Sequence, residues 1–290
     1  MQLSEQEYQE FLRLHLHLSL FAGQESGVLE SYMSVEDYVG IPIEEKLPVR
    51  SALYENPELI DRFVKQNPFG FSREDLSIIN GFKDFVSGKF FIVKSLKKYT
   101  IFLHEKVAYG VLGLGDPIDD IVGGEYPRYV NAVLLPYRGK IVYDGIITGS
   151  SIYFGGGIRG SINQTYQKAK ANYGIVTQLP FERPEDSPMN LENQLAFYMK
   201  NAKNREYYAY EIESLVDAHP KLEGKYYWHW GKVYSREKKK WLKELGINGV
   251  HYAMVFDTII AQGKTAAQVK AAAKQLLPRS KHDWVFYFKL

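Results

Sequence analysis

The chain has 290 residues, enough for one large domain or two ordinary ones. An apolar fraction of 45% and a charged fraction of 24% exclude wholesale disorder, and a net charge of only +2 excludes a global field that would by itself mark a nucleic-acid binder. Cysteine is absent, which excludes disulfides, thiolate nucleophiles and zinc sites that need sulfur.

The first residues, MQLSEQEYQEF, are polar and acidic, unlike the basic and then apolar start of a signal peptide. No run approaches the roughly 18 apolar residues that span a bilayer, so the reading is a non-membrane protein of the cytoplasm. Ser4 and Glu7 form a capping-box pattern ahead of EFLRLHLHLSLF, which predicts a helix, with the Leu-His-Leu-His alternation leaving a strand as the alternative. His15 and His17 could not bind one metal ion there, because positions two apart in a helix face different ways. Asn56-Pro57 marks another helix start, and Ser72 with Asp75 a third. Residues 1–87 are therefore expected to be helical.

From Gly88 the texture changes. KFFIVKSLK, YTIFLHE, VAYGVLGLG, YVNAVLLPY, GKIVYDGIIT and SIYFGG are short, rich in β-branched and aromatic residues, and separated by turn residues. They predict an antiparallel sheet or small barrel over 88–180, with Arg138-Gly139 as a tight hairpin connection and one helix, SINQTYQKAKANYG, after Gly160. The 22 tyrosines suit strand-rich packing and base stacking equally. PFERPEDSP, from Pro180 to Pro188, reads as a linker, and 181–290 as a mainly helical region ending in a strand, WVFYFKL. The fold class is α+β.

One block carries concentrated chemistry. Gly155, Gly156, Gly157, Ile158, Arg159, Gly160 and Ser161 stand between a strand and a helix. Glycines let backbone N–H groups approach an anion, a helix start leaves donors pointing outward, and Arg159 adds a guanidinium fork. The pattern is neither a Walker A loop nor a dinucleotide fingerprint. The competing reading is a plain turn with Ser161 as N-cap. Arg138 and Lys140 are candidate additional phosphate ligands. Lys140 and Asp144 would share a strand face, as a functional pair or as an exposed ion pair.

Asp116, Asp119, Asp120 and Glu125 offer carboxylates for a divalent metal, as in a phosphoesterase or nuclease, but read equally as acids at a helix start. GVHYAMVFDTIIAQGKTAAQVKAAAKQLLP predicts two helices around Gly263, with Thr265 and Gln268 as a capping box, either a helix-turn-helix with Lys264, Lys270 and Lys274 facing phosphates or an ordinary helical hairpin. LLPYRGKIVYDG and IYFGGGIRGS resemble a family of uncharacterised prokaryotic proteins; the resemblance covers about a third of the chain, implies that the block is one structural unit, and carries no activity.

Three functions follow as expectations. The first is a binding protein for a phosphate-bearing ligand, nucleic acid or nucleotide, at the glycine-rich turn. The second is a metal-dependent phosphoesterase or nuclease, and the third a non-catalytic scaffold. No motif implies a cofactor or a resident metal.

Overall fold

The computed structural model describes residues 1–149, 154–182 and 188–290, the side chains of 188–190 excepted. They form two compact units, 1–183 and 184–290. The helical region 1–87 and the β-rich region 88–180 thus make one unit with one main core, and the unit boundary falls inside the proline-rich stretch.

The first unit opens with five helices: α1 (Glu5–Glu25), α2 (Val35–Gly40), α3 (Ile43–Glu55), α4 (Glu58–Gln66) and α5 (Arg73–Gly81). Capping boxes start α1 at Ser4, α2 at Ser34 and α5 at Ser72. In α1 the Ser4 Oγ accepts the Glu7 amide at 3.3 Å while the Glu7 carboxylate accepts the Ser4 amide at 3.2 Å, so two first-turn donors are satisfied reciprocally. Phe11, Leu14 and Leu18 then fall on one helical face and are buried.

Strands β1 (Val86–Ser95), β2 (Thr100–His104), β3 (Val107–Val111), β4 (Arg128–Tyr137) and β5 (Lys140–Tyr143) close into a small barrel in the order β1-β2-β3-β5-β4-β1. All pairings are antiparallel except that of β3 with β5, through Val111 and Ile141. β1 is the seam, pairing with β2 along one edge and with β4 along the other. The short helix α6 (Ile118–Val122) lies between β3 and β4, and β6 (Thr148–Gly149) adds to β4. Arg138 and Gly139 both adopt positive φ, 46° and 73°, as a two-residue hairpin connection requires.

Alternation along the strands sorts the side chains. Phe90, Ile92 and Phe102 join Phe11, Leu14 and Phe63 of the helices in the main core. Ile101, Leu103 and Ala108 point the other way, beneath α7 (Gly156–Tyr173), which buries Ile162, Tyr166 and Ala169 on them. The expected SIYFGG strand lies largely outside the described residues, as does most of the PFERPEDSP linker.

In the second unit, α8 (Pro188–Tyr198), α9 (Ala202–Tyr207), α10 (Ala209–Ala218) and the start of α11 (Glu223–Glu244) surround Leu195, Tyr198, Tyr208 and Ile212. The helical pair expected around Gly263 is not formed. HYAMV and TIIAQG are instead strands β7 (His251–Val255) and β8 (Thr258–Gly263) of an antiparallel hairpin. Their side chains alternate between two cores, Tyr252 and Met254 toward α11, Ala253 toward α12 (Ala266–Leu276), and this two-sided burial explains the continuous apolar run. Thr265 and Gln268 do form the capping box of α12. β9 (Phe286–Lys289) pairs with β7, giving the sheet order β8-β7-β9.

Candidate anion-binding site

α7 begins on Gly155, which occupies the N-cap position with no side-chain cap. The helix therefore starts five residues before Ser161, and Ser161 lies within its second turn, where its carbonyl accepts the Thr165 hydroxyl at 3.0 Å. The Ser161 N-cap reading is thereby replaced. The first amide engaged by the helix is that of Arg159, donating to the Gly155 carbonyl at 3.1 Å. The amides of Gly156, Gly157 and Ile158 precede it, in the first turn, where the helix's own carbonyls offer no partner.

None of Gly155, Gly156, Gly157 and Gly160 has positive φ, and a Cβ added at any of them meets no heavy atom within 4 Å among the described residues. Residues 155–161 are all exposed. Among the described residues, neither backbone conformation nor close packing requires glycine here. Arg159 folds back so that its Nε donates to the Phe154 carbonyl at 2.8 Å, placing the guanidinium beside the turn. Phe154 anchors the turn by packing edge-to-face on Phe91, which in turn packs on Tyr129.

Arg138 and Lys140 are not brought to this turn. They follow Tyr137, at the opposite end of β4 from Tyr129, a separation of roughly 26 Å along the strand. Both are occupied. Arg138 holds the two carboxylate oxygens of Glu10 at 2.7 and 2.8 Å and reaches Glu74 at 2.8 Å; Lys140 is paired with Glu7. These bonds lower the Glu10 and Glu7 carboxyl pKa values and raise that of Arg138. The two cations form a clasp between α1, α5 and the β4–β5 hairpin.

Lys140 and Asp144 do not meet as an exposed pair either. Asp144, just past β5, is buried and takes Arg50 of α3 as its partner, with the Ile146 amide donating to it at 3.2 Å. Burial, opposed by Arg50, raises the Asp144 carboxyl to about 6. His15 is half-buried against Tyr54, 2.9 Å from its hydroxyl, and desolvation lowers its pKa to about 4. His17 instead contacts the Arg13 carbonyl and packs on Phe69, so the two histidines do point apart.

The acid cluster does not converge. Asp119 accepts the Tyr126 hydroxyl, Asp116 and Asp120 are exposed, and Glu125 pairs with Arg128. Among the described residues no group of three or more His, Asp or Glu side chains is placed to hold a metal ion.

Sequence reasoning did not single out Arg128 and Tyr129, which line an open groove of about 180 Å³ together with Val130 and Gly149. Gly149 is required there, since a Cβ would stand 2.6 Å from the Tyr129 carbonyl. Gly149 and Phe154 are five residues apart, and the Phe154–Phe91–Tyr129 ring contacts run from the turn to the groove wall. Searched against known proteins, the chain matches no family model, no curated protein and no solved structure.

Proposed function

We propose that the chain is a binding protein for a phosphate-bearing ligand, nucleic acid or nucleotide, received at the amino end of α7. The supporting observation is the set of exposed glycines that the fold itself does not need. A glycine in a helix interior costs about 1 kcal/mol relative to alanine, and Gly160 incurs a cost of that kind, with Gly156 and Gly157 ahead of it in the first turn, where no described atom stands near the missing Cβ. A ligand that must approach the backbone closely supplies the missing reason, because a side chain would hold it away from the N–H groups. The first-turn amides of 156–158, which the Gly155 cap position does not bond through a side chain, and the partial positive charge of the helix start favour an anion, and Arg159 adds a fixed cation beside them. The Arg128–Tyr129 groove offers room for the rest of the ligand.

Salt titrations with ATP, pyrophosphate and short 5′-phosphorylated oligonucleotides test this reading. Arg159→Ala is expected to weaken binding several-fold and flatten its salt dependence. Gly157→Ala should weaken binding while raising thermal stability by up to about 1 kcal/mol, since the methyl meets no described atom within 4 Å. Binding that is absent at low ionic strength, or indifferent to both substitutions, rejects the site.

A further inference from the structure

The chain's small net charge conceals two opposite ones. Residues 1–183 carry 19 Lys and Arg against 22 Asp and Glu, a net of −3, whereas residues 184–290 carry 17 against 12, a net of +5. Beyond His219 the imbalance sharpens to 14 against 5. Between Leu245 and Leu290 the only carboxylate side chains are Asp257, in the β7–β8 turn, and Asp283, against Gly224.

The sheet of the second unit gives these charges a place. α12 lies over β8 and β7, so the α12 face of the edge strand β9 is left beside it as a groove of about 210 Å³. Lys270 forms its α12 wall and holds its ammonium 5.8 Å above the Tyr287 ring. Lys289 stands two residues along β9 on the same face, directly opposite His251 in the ladder. Lys274, one helical turn beyond Lys270, extends the row. Among the described residues no carboxylate pairs with Lys270, Lys274 or Lys289. Lys270 and Lys274, for which the sequence leaves open a helix-turn-helix or an ordinary helical hairpin, lie one helical turn apart on α12, beside the strand hairpin of β7 and β8.

We propose that this groove is a binding surface for single-stranded nucleic acid, with backbone phosphates between Lys270 and Lys289 and a base against Tyr287. An unneutralised row of lysines over a half-exposed aromatic ring is the combination that tracks a phosphate backbone and stacks its bases without sequence preference. The aromatic floor separates this surface from one that reads charge alone, such as a site for acidic peptides or anionic lipid. The site lies in a different unit from α7 and stands or falls independently of it.

The test uses the full chain with fluorescein-labelled dodecamers of U and of dT, read by anisotropy at 50 and 200 mM salt, and a 4-thiouridine dodecamer for photocrosslinking. Both labelled dodecamers are expected to bind, more weakly at the higher salt. Lys270→Ala with Lys289→Ala should reduce affinity at least tenfold and lower the salt slope by about 1.4, at roughly 0.7 for each phosphate no longer neutralised. Tyr287→Phe should retain binding, and the crosslink should map to residues 282–289. No binding at 50 mM salt, binding unchanged in the double-lysine variant, or a crosslink confined to residues 154–161 would each overturn the proposal. So would a double-lysine variant that keeps dodecamer binding but loses binding to phosphatidylserine vesicles.

Discussion

The Arg50 guanidinium grips the Asp144 carboxylate through two nitrogens, Nε at 2.5 Å and Nη2 at 3.1 Å, where the acid's side chain is only 1% exposed. The same Nη2 also donates to the Ile146 carbonyl at 3.2 Å. One arginine of α3 thereby fixes the end of β5 and the chain leaving it. Removing it leaves a buried charge without a partner, which costs about 3–5 kcal/mol, whereas replacing both members by apolar residues is far cheaper. Arg50→Met should therefore shift the urea midpoint strongly downward, and Arg50→Met with Asp144→Leu should recover most of the loss. A double variant as unstable as the single would refute this account of the pair.

The Asp144 and His15 pKa values move in opposite directions over nearly the same pH range. The Asp144 value rises from 3.8 to about 6, so the folded chain holds that proton more tightly. Its contribution is full below about pH 4 and is lost as pH climbs through 6. The His15 value falls from 6.5 to about 4, so its contribution is full above 6.5 and is lost as pH drops through 4. Between pH 4 and 6.5 the two slopes oppose each other. His229, in α11 of the second unit, is also lowered to about 4, so the midpoints are read on the first unit, where His15→Phe should expose the carboxyl slope, with stability falling from pH 4 to 6. Asp144→Asn should expose the histidine slope, with stability rising over the same range. Urea midpoints at pH 4.5 and 6.5 decide it; slopes of the same sign in both variants would contradict the assignment.

The Arg138 clasp makes a prediction that separates stability from binding. Its side chain is 39% exposed, so solvent screens both of its ion pairs, and the two-pronged grip on Glu10 is the stronger of them. Arg138→Ala should lower the melting temperature of the first unit by a few degrees. Phosphate-ligand affinity should stay unchanged, because Arg138 lies at the opposite end of β4 from the glycine turn. A loss of affinity without a loss of stability would return Arg138 to the ligand site.

Local signals in the sequence are legible and distant ones are not. Ser4 with Glu7, Ser72 with Asp75 and Thr265 with Gln268 each span three residues, and each cap forms in the structure. The barrel strands announce themselves by short β-branched and aromatic runs between turns. The run HYAMVFDTIIA has the same apolar texture whether helix or strand, and only burial on two faces distinguishes them. Partner choice lies further out of reach. Arg138 finds Glu10 across 128 residues and Arg50 finds Asp144 across 94, so a lysine or arginine near a glycine turn in sequence says little about its charge being available. The glycine run itself is conspicuous; that a Cβ there would meet no described atom depends on what does not pack against it.

The two sheets differ in how they end, and this bears on solubility. In the barrel β1 has a neighbour on each side, whereas in the second unit β8 and β9 are both outer strands with backbone groups unclaimed by the sheet. Such edges invite pairing between molecules, and lysines along them oppose it by repulsion. Lys289 on β9 therefore has a second consequence: neutralising it removes one charge that opposes pairing between molecules at this edge, and Lys289→Ala should aggregate at lower concentration than the unsubstituted chain, as light scattering would read.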